Sequence, residues 1–215
     1  MLSLRDLEKH LYKEVKSFLK PKGFKKKGDE LIKDLGSHKN ILEVVINYYA
    51  TAGSSLNFAV VINFEEIDEI FRQFYQSTYG FAGDSYPLLS AALTGLKDIK
   101  GVYHKDVMTL DDADNALESF YKDFDEYIVP FFEQYSSLEN IETYINRDYA
   151  VDGLFANFNA KSCSGLLLAH KVGRNDVNDV FQGYVNSWKT SIDDEEQKKE
   201  QIEELEKLME FLGYA

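Results

Sequence analysis

Between Ile41 and Phe64 apolar and polar positions alternate with a period of two, the clearest pattern in the chain. In ILEVVINYY, Leu42, Val44, Ile46 and Tyr48 fall on one side, and Glu43 and Asn47 on the other. After the break at TAGSS, Leu56, Phe58, Val60, Ile62 and Phe64 alternate with Asn57, Ala59, Val61 and Asn63. Successive side chains of a strand point to opposite faces, so both segments read as strands with one buried face. Upstream, FKKK and ELIKDL flank Gly28 and Asp29, a pair suited to a tight hairpin turn. Four successive strands on short turns predict an antiparallel meander.

The period changes on either side of this block. Leu4, Leu7, Leu11, Val15, Phe18 and Leu19 recur at helical steps, with Ser3 as N-cap and Pro21 and Gly23 as the stop. The stripe makes this helix the expected cover of the sheet's apolar face. Ile67 to Tyr79 reads as a second helix. The glycine-punctuated stretch from Gly80 to Lys105 is read as leading into two more strands, around Leu88 to Leu96 and Val102 to Met108. Thr109 and Asp112 have capping-box spacing ahead of a long helix through Leu117, Phe120, Phe124 and Ile128, which Pro130 should kink or restart at FFEQY. Beyond Ser136 the pattern is helical at Leu138–Asn146, Gly165–Val172, Val177–Trp188 and Asp193–Leu212, with Gly213 as stop. The expected fold is α+β: an antiparallel sheet meander covered by an N-terminal helix, followed by an all-helical C-terminal region. The expected domains are an α+β domain over 1–136 and a helical appendage over 137–215.

The opening third resembles the bacterial domain of unknown function 4304 family. The likeness lies in FLKPKGFKKKGDELIK after the leading helix, in the strands ending VINYY and VVINF, and in the closing TLDDADNALESFYKDFDEYIVPFFEQYSSLENI. It covers about residues 1–145 and rests on a glycine turn and strand alternation. No activity defines that family, so the resemblance implies a fold and no catalytic residues.

Charge sharpens the picture. The net charge is −13, but residues 1–40 hold 11 Lys/Arg against 6 Asp/Glu, leaving 13 against 31, or −18, for residues 41–215. An acidic bulk repels phosphate backbones at long range, so no nucleic-acid partner is expected and a basic protein partner is. No apolar run approaches the roughly 20 residues of a membrane helix, and the charges interspersed through the first helix are unlike a secretory leader. With Cys163 alone, no intrachain disulfide can form, and a cytoplasmic location is expected.

Catalytic templates find little to match. Asp111, Asp112 and Asp114 lack the glycine and the glutamate of a calcium loop and read as a helix cap. His10, His38, His104 and His170 stand singly, and Cys163 and His170 on one helix would lie roughly 10 Å apart along its axis. No GxSxG elbow, GxxxxGK[ST] loop or GxGxxG loop is present. No catalytic residue, metal ligand or cofactor is therefore assigned.

The binding-surface residues are Lys25, Lys26, Lys27, Asn47, Tyr49 and Asn63. The lysines read first as guards of an edge strand and second as a docking patch for a phosphate, an acidic partner or the chain's own acidic tail. The asparagines and Tyr49 mark a polar sheet face. The 14 tyrosines and 15 phenylalanines favour protein contacts. The expected function is a protein-binding module, in the manner of acidic immunity proteins that neutralise a basic toxin. The alternatives are an enzyme with a fold-assembled site in a cleft between the sheet and the helical appendage, gathering two or more of Asn47, Asn63, Glu65, His104 and His170, and a structural scaffold module.

Overall fold

The computed structural model describes residues 4–49, 53–80, 88–149, 158–192 and 194–214. The chain divides into two compact units, Met1–Asn63 with Ser90–Gln134, and Phe64–Leu89 with Tyr135–Ala215. The architecture is α+β, with a five-stranded antiparallel sheet, an N-terminal helix and a helical C-terminal region.

The first unit opens with α1 (Leu4–Leu19) and a short 3-10 turn over Lys20–Lys22, closed by Gly23 in the left-handed region at φ 92°. Ser3, expected as the N-cap, lies outside the described residues. Strands β1 (Lys25–Lys27), β2 (Glu30–Asp34), β3 (Lys39–Tyr49) and β4 (Gly53–Asn63) follow in spatial order, with β5 (Leu89–Ala92) beyond β4. Lys27 pairs with Glu30 across a two-residue turn in which Gly28 has φ 60°; a positive angle at the first central position is what a II′ hairpin requires. The long β3–β4 ladder pairs Leu42 with Val60, Val44 with Phe58 and Ile46 with Leu56. Leu42, Leu56, Phe58, Val60 and Ile62 are wholly buried, as the alternation predicts, whereas Tyr48 at the end of the same side is exposed and Ile41 and Val61 on the other side are buried.

Leu7, Leu11, Val15 and Leu19 of α1 are buried, and the Tyr12 hydroxyl donates to the Val44 carbonyl at 3.3 Å. The cover over the sheet is shared with α4 (Leu110–Asp123). Phe120 of α4 stacks on Phe58 with ring centroids 4.0 Å apart, and Phe18 of α1 meets Phe120 edge-on at 5.9 Å. The Thr109–Asp112 capping box is present in both directions.

Two expectations need correction. The segment Leu88–Leu96 is a strand only over Leu89–Ala92; it then makes one helical turn, α3 (Leu93–Leu96), which buries the consecutive Leu93 and Thr94 as an alternating strand could not. Val102–Met108 is not a strand. It makes a single bridge, Leu56 to His104, and Asp106 at φ 55° breaks the extended backbone. After α4 the helix widens into a π-turn over Phe124–Ile128, where the Val129 N–H reaches the Phe124 carbonyl five residues back. The wider ring makes room for Pro130, in the first turn of α5 (Val129–Gln134), where an α-turn would press it against the carbonyl of Glu126.

The second unit comprises α2 (Glu65–Tyr79), α6 (Leu138–Ile145), α7 (Phe158–Lys171), α8 (Val177–Ser191) and α9 (Glu195–Phe211). Its centre is α7, in which every residue from Lys161 to Ala169 is buried. A helix enclosed on all sides has no amphipathic stripe, which is why its first half escapes a reading based on periodicity. Helix α2 falls in the same compact unit as the C-terminal helices. Phe74 of α2 is wholly buried and meets Phe211 of α9 at 5.6 Å between ring centroids. Among the described residues no helix is long and apolar enough to cross a membrane.

Candidate functional site

The apolar stripe of α1 leaves its opposite side to cations. Arg5, Lys9, Lys13, Lys16 and Lys20 follow one another at steps of four, four, three and four residues, and all are exposed. At 1.5 Å per residue they form a row roughly 22 Å long. With Lys26 of β1 they line a groove of 620 Å³ between the helix and the β1–β2 hairpin. Glu8 and Asp29 are the two carboxylates in its wall.

Tyr12, with Glu8 and Asp29, also lines a second depression of 820 Å³. The Tyr12 ring lies under the Lys26 ammonium, 4.6 Å from the centroid, so that face is occupied by a cation. Burial, then the nearby carboxylates Asp29, Glu8 and Glu43, push its hydroxyl above the ordinary tyrosine range. The second depression is acidic, with Glu8, Asp29, Glu30 and Glu43 on its walls. Glu30 and Glu43 are direct cross-strand partners. Burial and then this like charge raise the Glu43 carboxyl above its usual value.

The residues singled out from sequence do not gather in one place. Lys25, Lys26 and Lys27 are exposed on the edge strand β1; Lys26 faces the basic groove and Lys27 the acidic depression. Asn47 is exposed opposite Ser55, whereas Asn63 lies opposite Lys39 at the other end of the ladder. Eight residues of strand, roughly 27 Å, separate the two asparagines, so they line no common cleft. The Tyr49 side chain lies outside the described residues. His104 bridges to Leu56, seven residues from Asn63 along β4, and burial holds its ring below the usual histidine range. Those two members of the enzymatic alternative therefore do not converge either.

The remaining chemistry-bearing groups are engaged in packing. Cys163 and His170 both lie on α7; Cys163 is buried, which pushes its thiol far above the ordinary range, and His170 Nδ1 is 3.1 Å from the Tyr214 hydroxyl. His10 Nε2 is 2.7 Å from Asp114. Among the described residues no three of His, Cys, Asp and Glu come together as metal ligands.

Two polar clusters carry no mark in the residue pattern, because each joins segments that are distant in sequence. In the first unit, Asp123 accepts from Lys97 Nζ at 2.6 Å and from the Tyr103 hydroxyl. In the second, Arg174 donates to Glu142 at 2.6 Å and Asp176 at 2.7 Å, while buried Asn146 accepts from Tyr184 at 2.7 Å and donates to Glu142 at 2.9 Å. Lys161, wholly buried, reaches Asp148 at 3.0 Å. These contacts pair the charges that the helices bury, which is the arrangement that keeps a buried charge from destabilising the fold. No family model matches this chain, and no curated protein or solved structure does either.

Proposed function

We propose that the chain is a protein-binding module that works by charge, presenting the acidic surface of its second unit to a basic partner. The observation that carries this reading is the segregation of charge by unit. The second unit holds 20 Asp/Glu against 9 Lys/Arg, a net −11, and the first 17 against 15, a net −2. Part of the excess lies on α9, which holds 7 Glu against 3 Lys, whose buried side is Leu205, Leu208 and Met209 and whose exposed side carries Glu196, Glu200, Glu203, Glu206 and Glu210. Charges so placed contribute little to folding and raise the encounter rate with an oppositely charged partner. A cytoplasmic setting, and membership of the domain of unknown function 4304 family over residues 1–145, belong to the same proposal.

The test is capture from a native lysate by the wild-type chain and by Glu200→Lys/Glu206→Lys/Glu210→Lys, with the retained proteins identified. The expected result is a basic protein held by the wild type, released by salt and lost with the variant. Retention indifferent to both salt and the reversal would refute the reading, as would turnover of a small metabolite by an unpartnered chain.

A further inference from the structure

We infer that the cationic groove along α1 is a docking face for the glutamate face of α9 from a second copy of this chain. The inference rests on the reading of α9 as a docking face and names what docks there. The row runs from Arg5, Lys9, Lys13 and Lys16 of α1 to Lys20 at the start of the 3-10 turn, and all five cations are exposed. On α9, Glu196, Glu200, Glu203, Glu206 and Glu210 recur at steps of four, three, three and four residues, and they too are exposed. Two helices lying side by side present charges at matching intervals of roughly 5–6 Å, so a row of one sign can register on a row of the other.

Each face also carries two charges of the opposite sign. The groove wall holds Glu8 and Asp29 among its cations, and the α9 face holds Lys199 and Lys207 among its glutamates. Lys207 sits over the Tyr79 ring, 5.4 Å from its centroid, and Lys199 lies 3.6 Å from Glu203. A uniform polyanion such as a nucleic-acid strand would meet Glu8 and Asp29 as repulsion, and a mixed helix face can answer them. Of the Tyr12 ring, which would be the stacking platform for a base, one face is taken by Lys26, and the hydroxyl is tied to Val44.

A contact made of exposed ion pairs is weak and dissolves in salt. The experiment is sedimentation velocity of the full chain over a concentration series, at about 50 mM and about 500 mM salt, where the screening length falls roughly threefold. The expected result is a mean mass that rises with concentration at low salt and returns to the monomer at high salt. Two variants locate the faces: Lys9→Glu/Lys16→Glu/Lys20→Glu in the cationic row and Glu200→Lys/Glu206→Lys/Glu210→Lys on α9. Each alone should remain monomeric at low salt, and an equimolar mixture should associate again, because each supplies the face the other has lost. Circular dichroism of each variant checks that it is folded, and recovery in the mixture excludes loss of fold as the cause.

A wild-type chain that is monomeric at low salt overturns the inference, whether or not a polyglutamate peptide binds it. A mixture that fails to associate overturns it as well. If the inference fails while the α9 reversal still releases a basic protein from the lysate, the proposed binding function stands without it.

Discussion

Gly165 shows how much a single position can hold in the second unit. A Cβ built there would fall far inside van der Waals contact of the Tyr184 hydroxyl and the Asn146 carboxamide oxygen. Those two atoms are bonded to each other at 2.7 Å, and the Asn146 amide in turn donates to the Gly165 carbonyl at 3.0 Å. The glycine is required by the closeness of its neighbours, since the backbone there is ordinary α-helix within α7. Gly165→Ala should therefore destabilise the protein by about 2–3 kcal/mol, from overpacking together with displacement of a buried hydrogen bond. The midpoint of urea unfolding measures this, and an unchanged midpoint would show that the helices can part at no cost. Nothing in SCSGLLL marks this glycine out; its meaning comes from Asn146 and Tyr184, 19 residues away in each direction.

Among elements, α4 carries the most legible signal. Thr109 and Asp112 were readable as a capping pair, and the observed bonds are Asp112 N–H to Thr109 Oγ1 at 3.1 Å and Thr109 N–H to the Asp112 carboxylate at 2.9 Å. The bond from the Thr109 hydroxyl, then the bonds from the Met108 and Thr109 N–H groups, hold the Asp112 carboxyl below its ordinary value of 3.8. A carboxyl whose value is lower in the folded state contributes its stability above the unfolded value and loses it as pH falls through the folded one. The stability difference between the wild type and Asp112→Asn should thus be constant from neutral pH down to about pH 4–5 and shrink below that. Denaturant unfolding of the two proteins as a function of pH measures it; a difference that shrank between pH 7 and pH 5 instead would assign the effect to another group. The edge strand β1 is the opposite case. Its three lysines were legible as an edge guard, and they do lie on an edge. That Lys26 also walls a groove with α1 depends on the helix returning beside the hairpin, which a period in the sequence does not encode.

For the whole molecule, the linear order of the chain and its compact units disagree. Helix α2 follows β4 directly, yet it clusters with the C-terminal helices. Phe74 meets Phe211, and the Tyr75 hydroxyl donates to Glu204 at 3.0 Å. Phe74→Ala should cost about 3–5 kcal/mol. Native-state hydrogen exchange should then show α2, α7 and α9 losing protection together while β3 and β4 keep theirs. Protection lost from the sheet to the same extent would mean that the two units unfold as one.

Local residue patterns are enough to set the elements whose burial is one-sided. The alternation of β3 and β4, the stripe of α1, the cap of α4 and the glutamate-rich face of α9 all follow from residues close together in the chain, because a half-buried element must repeat its apolar positions at its own period. The same locality made the lysine cluster and the uneven charge visible. Tertiary structure decided the rest. It enclosed α7 on every side and so erased its period, assigned α2 to the second unit, and set Asn47 and Asn63 at opposite ends of one ladder. It also placed Lys26 over Tyr12 to close the basic groove. Each of these depends on which distant surfaces meet, and the free energy of that meeting comes from area buried and charges paired between segments that no local pattern links.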